Sequence, residues 1–320
     1  MSALHNALES YLSLRRGLGS EIEKPGAYLH RFVEFLDREK ATFITVDLAL
    51  RWARAPAKTT TVQWARRLGH ARRFALWLSA TDPRTEVPSL ELLPDRYRRR
   101  PPYIYSDEEI ERIVREAARL RSRSRSRPRS RMRGATYATL FGLLAVTGLR
   151  MSEALALDRD DVDLSNGVLA IRRAKFGKSR FVPIDDSTCR ALQRYARKRD
   201  LCFRSPSCPA FLVSNRDRRV TRGSALYNFA IICRAVGVRR PGPRHRVGRG
   251  PRPHDLRHRF VVKTLVRWYR EGRDVDRELP KLSTYIGHTH VADTYWYIEA
   301  VPELLRLATQ RAVRRAKRAS

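Results

Sequence analysis

One apolar segment near the middle of the chain does most to limit the possible folds. Residues 135–148, ATYATLFGLLAVTG, are apolar on nearly every side of a helix. A helix formed there must be enclosed by other elements, because it has no polar face to turn toward water. Gly148 can end this helix, since glycine readily adopts the left-handed conformation found at helix stops. The sequence therefore predicts a domain built around this helix.

Patterns on both sides of the segment predict the elements that enclose it. Ser106 and Glu109 form a capping box ahead of an apolar stripe, which indicates a helix at the start of this domain. In residues 168–184, two runs rich in Val, Ile and Phe flank a Phe-Gly-Lys turn, a pattern typical of a β-hairpin. Further helices are expected near residues 187–199, 224–237, 255–271, 276–287 and 291–298. We expect a mainly α domain with one small antiparallel β-sheet.

The first 90 residues have the periodicity of a separate helical bundle. Apolar residues recur there at helical spacing in two stretches, Leu29, Phe32, Val33 and Leu36, and then Ala65, Leu68, Ala71, Phe74 and Ala75. Residues 86–106 carry four prolines and no helical period, which indicates a linker. The predicted organisation is a helical domain over residues 1–95, a linker over 96–105 and a second domain over 106–320.

The charge of the chain points to a polyanionic partner. Lys and Arg outnumber Asp and Glu by 66 to 33, which gives a formal net charge of +33. Such an excess makes the folded chain repel itself unless a polyanion shares its surface, so nucleic acid is the first partner to consider. Arginines of the first domain have few acids among them, which favours contact with a nucleic-acid backbone over an ordinary solvated face. The predicted DNA-contacting residues are Arg51, Arg54, Arg66, Arg67, Arg72 and Arg73, with Lys178 and Arg180 of the hairpin.

Other compositional features exclude several classes of protein. No apolar run approaches the roughly 18 residues of a membrane span, and the N-terminus lacks the order of a signal peptide. We therefore expect a cytoplasmic protein without a membrane partner. The four cysteines, at 189, 202, 208 and 233, lack the spacing of a zinc site or disulfide frame, so we expect them to be reduced and structural. Residues 121–133, RSRSRSRPRSRMR, are too charged to pack a core and predict a mobile basic loop.

Two polar motifs follow the apolar segment. In TGLRMSEAL, Arg150 comes just after the helix-ending glycine, where a rigidly held guanidinium can bind two phosphate oxygens at once. Glu153 can orient that guanidinium, although the two residues also have the spacing of an ordinary surface ion pair. In HDLRHRF, His254 and Arg257 lie three residues apart and so project from one face of a helix.

A third motif, YIGHTHVADTYWYIEA, places Tyr297 nine residues after His288. A tyrosine hydroxyl is a poor nucleophile until nearby cations favour its phenolate, so a tyrosine near histidine and arginine has chemical meaning. Taken alone, the aromatic residues of this motif are at least as well explained as packing residues.

In their order along the chain, these motifs resemble the tyrosine recombinases, also called the phage integrase family. The shared set is TGLRxSE, a hairpin lysine, HxLRH, and an (L/I)GH motif followed nine residues later by tyrosine, and it spans residues 106–300. The resemblance implies an N-terminal helical core-binding, SAM-like domain ahead of an α+β catalytic domain. By position, it implies that the catalytic residues are Arg150, Lys175, His254, Arg257, His288 and Tyr297, with Lys178 as the competing lysine.

Three features depart from the family pattern. Arg259 stands where a small hydroxyl residue is common after HxLRH, and Ile286 replaces the usual leucine before Gly-His. The Arg-Ser run is an insertion in a loop that is usually short. None of these departures removes a catalytic group.

The reaction implied by the resemblance is DNA strand cleavage and rejoining. Tyr297 would attack a phosphodiester to give a 3′-phosphotyrosyl bond and a free 5′ hydroxyl, so no metal or nucleotide cofactor is expected. The two arginines and His288 would stabilise the charge on the phosphate, as phosphoryl transfer requires. Lys175 would protonate the departing 5′ oxygen, and His254 would assist proton movement at the tyrosine or the phosphate.

The implied partner is double-stranded DNA, bound by a homotetramer in the synapse and by a monomer or dimer otherwise. The implied role is recombination for a mobile element, as an integrase, resolvase or transposon recombinase. Two alternatives share part of the pattern: a type IB topoisomerase, and a non-catalytic basic protein that binds nucleic acid. Residues 301–320 carry one apolar helical stripe, which either packs on its own domain or docks on a neighbouring subunit, as the resemblance implies. Of these two arrangements we favour docking.

Overall fold

The chain forms two compact units, Met1–Arg100 and Pro101–Ser320, in a computed structural model. The structure describes residues 2–20, 22–56, 59–93, 102–120, 132–172, 179–205, 207–240, 250–288, 290–291, 294–295, 297–298 and 301–319, with side chains up to residue 313. Most of the expected linker, most of the Arg-Ser run and the hairpin turn with Lys175 and Lys178 lie outside these residues.

The described part of the first unit is a bundle of four α-helices. These are α1 (Ala3–Gly17), α2 (Glu23–Arg38), α3 (Val46–Arg54) and α4 (Thr61–Leu78). The apolar periodicity found in the sequence lies on the inner faces, with Phe32 of α2 and Phe74 of α4 fully buried. Tyr11 of α1 contacts Phe74, with 5.5 Å between the ring centroids. The predicted helical character of this region is confirmed.

In the second unit, one buried helix lies at the centre of the described core. The helices are α5 (Asp107–Arg119), α6 (Met132–Thr147), α7 (Met151–Ala156), α8 (Asp186–Cys202), α9 (Arg222–Ala235), α10 (Pro253–Arg270), α11 (Val275–Ile286) and α12 (Pro302–Ala319). Helix α6 contacts α5, α8 and α10, and Leu140, Phe141 and Leu144 on it are at most 1% exposed. The apolar segment is therefore the centre of the domain, as the sequence predicts.

Local features explain where α5 begins and where α6 ends. Ser106 Oγ accepts a hydrogen bond from Glu109 N, and a Glu109 carboxylate oxygen accepts one from Ser106 N at 2.9 Å, which confirms the capping box. Gly148 directly follows α6 with φ at +62°. A Cβ there would lie 2.5 Å from Phe260 Cδ1. Glycine is thus required at this position both for its backbone conformation and for space.

The second unit carries a small antiparallel sheet with strand order β1-β2-β3. The strands are β1 (Val162–Asp163), β2 (Val168–Ile171) and β3 (Arg180–Pro183). Leu169 lies opposite Val182, and Ile171 lies opposite Arg180, which confirms the predicted hairpin. Strand β1 was not predicted, because two residues are too few to show a period of two. A mainly α fold with one small antiparallel sheet is confirmed.

The C-terminal helix packs on its own domain. Helix α12 contacts α10, Leu304 is fully buried, and Arg270 Nη2 lies 2.7 Å from Glu303 Oε1. The structure therefore differs from the docking on a neighbouring subunit that we favoured, because α10 of the same chain already covers Leu304. Among the helices of the described ranges, none combines the length and apolarity needed to cross a membrane.

Candidate active site

Arg150 is fixed by contacts at both ends of its side chain. It is the residue that precedes α7, and its backbone N donates to Glu153 Oε2 at 2.9 Å. Its Nη1 donates to Glu153 Oε1 at 2.8 Å, and its Nη2 donates to the Gly287 carbonyl at 2.7 Å. The Glu153 side chain is only 4% exposed. The pair is therefore not the surface ion pair that the sequence spacing also allowed.

Glu153 binds a second arginine that comes from the sheet. Arg180 of β3 donates from Nη1 and Nη2 to the two Glu153 oxygens at 3.1 and 2.9 Å, and from Nε to the Tyr285 carbonyl at 2.8 Å. Burial opposes ionisation of Glu153, but hydrogen bonds from Arg180 and Arg150 outweigh it and lower the pKa of the carboxyl. One carboxylate thus joins α7, β3 and the end of α11.

Arg257 is the most deeply buried cation of the site. Its side chain projects from α10 with 2% exposure, and Nη1 donates to the Gly148 carbonyl at 2.8 Å. Burial, followed by the charge of Arg150, lowers the pKa of Arg257 to about 10. Within the described residues, Nη2 has no hydrogen-bond acceptor. A buried cationic nitrogen is strongly stabilised by an anionic acceptor, so this atom is suited to a phosphate oxygen.

Tyr297 lies between two histidines. Its side chain is 3% exposed, and its hydroxyl is 2.8 Å from His258 Nδ1. The His288 ring stacks on the tyrosine ring with 6.4 Å between centroids, and His288 Nδ1 lies 2.9 Å from Thr294 Oγ1. Gly287, with φ at +71°, ends α11 and turns the chain into this segment. The predicted helix near residues 291–298 is helical at each of its described positions between 294 and 298.

These contacts bring together the described members of the set of six. Arg150 binds the Gly287 carbonyl, next to His288. Arg257 binds the Gly148 carbonyl, close in sequence to Arg150. His288 in turn stacks on Tyr297. His254 is exposed and meets the His258 ring edge-on at 4.7 Å between centroids. Lys175 and its competitor Lys178 lie outside the described residues.

Two site residues were missed or placed elsewhere by the sequence analysis. His258 lies in HDLRHRF outside the set of six that the resemblance implies. It comes three residues after Asp255 and four after His254, so the three share a helix face. Arg180 was expected to contact DNA, whereas its described hydrogen bonds go to Glu153 and to carbonyls at the end of α11. Its DNA contact stays a prediction.

The arginines expected to contact DNA in the first unit have varied surroundings. Arg51 is exposed and pairs with Glu39 at 2.8 Å. Arg67 lies 4.0 Å above the Trp52 ring centroid and donates to the Trp52 carbonyl, so its guanidinium is held within the protein. The side chains of Arg54, Arg66 and Arg73 are exposed, and that of Arg72 is half-buried. Their contact with DNA also stays a prediction.

Metal-binding groups are not assembled in the described ranges. No group of three or more His, Cys, Asp or Glu side chains there is placed to hold a metal ion. The cysteines at 189, 202, 208 and 233 are free thiols. Burial raises the pKa of the Cys233 thiol to about 12, so this thiol packs as an apolar group.

The chain is similar to known proteins along almost its whole length. It is 43% identical over 316 residues to a "Putative integrase/recombinase y4rB" of Sinorhizobium fredii, which covers 98% of each chain. It is 27% identical to the "Tyrosine recombinase XerD" of a Neisseria meningitidis strain, over 72% of this chain and 73% of that one.

Solved structures share the fold at low sequence identity. A structure of the Tn1549 transposon integrase in complex with a circular intermediate DNA superposes with a TM-score of 0.64 and 14% identity, over 95% of this chain and 99% of that one. A XerH recombinase bound to a palindromic difH substrate gives a TM-score of 0.61 and 16% identity, over 89% and 77%. The model of the phage integrase family matches residues 106–303, which include the described residues around Tyr297 but not the arginines of the first unit. The chain therefore belongs to the phage integrase family, the tyrosine recombinases.

Proposed function

We propose that this chain is a site-specific DNA recombinase that cleaves and rejoins DNA through a 3′-phosphotyrosyl intermediate. The observation that carries the proposal is the group of residues around Tyr297. Two histidines contact it, Arg257 interacts with it electrostatically, and Arg150 lies near Arg257. Arg257 adds a buried Nη2 with no acceptor among the described residues. The relatives of the chain that are named as an integrase/recombinase and a tyrosine recombinase support the same activity.

In this mechanism the arginines hold the scissile phosphate. Arg150 and Arg257 keep their positions without DNA, because Glu153 and main-chain carbonyls already bind part of each guanidinium. Donors held in advance toward developing charge stabilise a transition state without reorganising. His288, stacked on the Tyr297 ring, would donate to the same phosphate. His254, which is exposed, would assist proton movement there, and Lys175 would protonate the departing 5′ oxygen.

The proposal extends to partners. Double-stranded DNA is the substrate, with the exposed arginines of the first unit on its backbone. Exchange of strands between two duplexes needs four cleavages, which a homotetramer supplies, while the free chain is a monomer or dimer. We place the activity in the cytoplasm and in the service of a mobile element. No nucleotide or metal is required, since the phosphotyrosyl bond retains the energy of the phosphodiester.

The test is to trap the covalent intermediate. Purified chain is incubated with fragmented host DNA, covalent complexes are isolated, and their junctions are sequenced to build a nicked suicide substrate. Tyr297→Phe should bind this substrate as the parent does and form no covalent adduct, because only the nucleophilic oxygen is lost. Tyr295→Phe is the matched control, since Tyr295 is a nearby, 43% exposed tyrosine.

Two outcomes would overturn the proposed reaction, and a third would change only its nucleophile. Adducts that persist in Tyr297→Phe and vanish in Tyr295→Phe would assign the role of nucleophile to Tyr295. Relaxation of supercoiled DNA without site preference would favour a type IB topoisomerase. The absence of adducts on any DNA would favour a binding protein without catalysis.

A further inference from the structure

His258, the second histidine of HDLRHRF, contacts the proposed nucleophile directly. Its Nδ1 lies 2.8 Å from the Tyr297 hydroxyl, within hydrogen-bond distance. We propose that His258 is the proton acceptor for Tyr297 when the tyrosine attacks DNA. This inference rests on the proposed function of the preceding subsection and assigns one step of that reaction to a residue outside the expected set of six.

The surroundings of His258 fit a neutral ring that accepts a proton. When Nδ1 accepts from the tyrosine, the neutral imidazole carries its hydrogen on Nε2. That atom faces Asp255 Oδ1 at 4.0 Å, which is too long for a hydrogen bond but close enough to stabilise an imidazolium. The side chains of His258 and Asp255 are 12% and 3% exposed. Their interaction is therefore only weakly screened by water.

Asp255 is held in place by its own contacts. It accepts hydrogen bonds from Arg252 N at 2.6 Å and from Arg252 Nη2 at 3.2 Å. Because it lies three residues before His258 on α10, the carboxylate and the imidazole share a helix face. The order carboxylate, imidazole, hydroxyl is an arrangement that activates nucleophiles in other enzymes.

The charges around the pair favour the products of proton transfer. From α10, Asp255 favours the imidazolium, while Arg257 interacts electrostatically with Tyr297 and favours its phenolate. His254 also lies on α10 and meets the His258 ring at 84°. From the segment after α11, His288 stacks on the tyrosine ring. Arg150, which precedes α7, adds positive charge near Arg257. A phenolate and an imidazolium are thus each next to an opposite charge.

The step balances without any added reactant. As the Tyr297 oxygen forms its bond to phosphorus, the tyrosine O–H bond breaks and the proton passes to His258 Nδ1. The bond from phosphorus to the 5′ oxygen breaks, and that oxygen takes a proton from the general acid, proposed above to be Lys175. Rejoining reverses both transfers, so His258 returns its proton to the tyrosine.

The experiment compares His258→Asn with the parent chain in single-turnover cleavage of the suicide substrate across the neutral pH range. The asparagine amide oxygen can accept a hydrogen bond where Nδ1 does, but it takes up no proton. We expect adduct formation to slow by about 10²–10⁴-fold, the usual contribution of a general base, with DNA binding unchanged. The remaining rate should rise in proportion to hydroxide, whereas the parent rate should level off once the histidine is neutral.

A second substrate separates the two proton transfers. With sulfur in place of the bridging 5′ oxygen, the leaving group is a thiolate, which departs without a proton because thiols are far more acidic than alcohols. Lys175→Ala should recover cleavage on this substrate, and His258→Asn should not. Recovery of His258→Asn would overturn the inference by placing His258 on the leaving-group side.

Folding and the parent activity are checked independently. Thermal unfolding of His258→Asn and of a second variant, His258→Gln, tests whether the slower cleavage reflects only a loss of structure. If the loss of folded protein accounts for the slower rate, the inference is overturned. A cleavage rate and pH profile in His258→Asn like those of the parent would also overturn the inference. The proposed function would still stand in that case, because the parent chain forms adducts. A parent chain that forms no adduct would instead reject the proposed function itself.

Discussion

At the scale of single residues, the site depends on a buried carboxylate that binds two arginines rather than one. Glu153 accepts hydrogen bonds from both Arg150 and Arg180. One anion therefore positions Arg150, which we propose binds the phosphate, and connects it to the sheet through Arg180. Arg259 fills the position of a small hydroxyl residue in the family pattern. Its Nε donates to the Tyr105 carbonyl at 2.9 Å and its guanidinium binds Asp107, so this substitution connects α10 to the start of α5.

Replacing the shared anion should weaken both stability and cleavage. Glu153→Gln leaves two partly buried guanidiniums without their buried counter-charge. Breaking a buried ion pair in this way costs about 3 kcal/mol. Chemical denaturation at neutral pH measures this loss. Adduct formation on the suicide substrate should also fall, because Arg150 loses the group that orients it. The control is Glu116→Gln, which removes an equally spaced pair with the 71% exposed Arg119 and should cost about 0–1 kcal/mol.

The stability loss in Glu153→Gln should depend on pH in a defined direction. The pKa of Glu153 is lowered in the folded chain, so its contribution is complete above the pKa of the unfolded chain and is lost as pH falls through the folded value. The difference in unfolding free energy between the parent and Glu153→Gln should therefore shrink on acidification. A constant difference across that range would contradict the role of Glu153 as a buried anion.

At the scale of elements, the sequence predicts best where one local pattern decides the structure. The all-round apolar character of α6, the capping box of α5 and the two runs of the hairpin each specify an element without reference to the rest of the chain. Strand β1 has only two residues and exists because it pairs with β2, so its formation depends on tertiary contact. The position of α12 on α10 was open for a similar reason, since an apolar stripe does not reveal which surface covers it.

The end of α6 can be tested with two glycines of the same helix region. Gly148→Ala places a side chain at φ of +62° and against the Phe260 ring, so we expect a loss of about 1–3 kcal/mol in unfolding free energy. Cleavage should decline with it, because Gly148 also supplies the carbonyl that binds Arg257. Gly142→Ala, where a Cβ meets only Val114 at 3.9 Å, should instead gain about 0.5–1 kcal/mol. Equal effects of the two changes on urea unfolding would refute this account.

At the scale of the whole molecule, the proposed function assigns phosphate chemistry to the second unit and predicts backbone contacts for the exposed arginines of the first. The candidate catalytic residues could be chosen from the sequence because four motifs occur in a fixed order. The direct partner of Tyr297 could not, because His258 and Tyr297 are 39 residues apart and meet only through folding. The hydrogen bonds of Arg180 could not be predicted for a related reason: the sequence shows a cation on a strand but does not show that Glu153 lies beside it.

The first unit should account for much of the salt dependence of DNA binding. Each phosphate neutralised by a cation releases condensed counterions, which contributes about 0.9 to the slope of log affinity against log salt. Changing the exposed residues Arg54, Arg66 and Arg73 together to Ala should therefore reduce the slope by about 0.9 for each one that contacts a phosphate. Fluorescence anisotropy over a salt series measures this change. Arg84→Ala is the control, because Arg84 is exposed but bound to Asp82, and its loss should leave the slope nearly unchanged. A triple variant with the parent slope would remove these arginines from the DNA surface and leave the second unit as the source of the salt dependence.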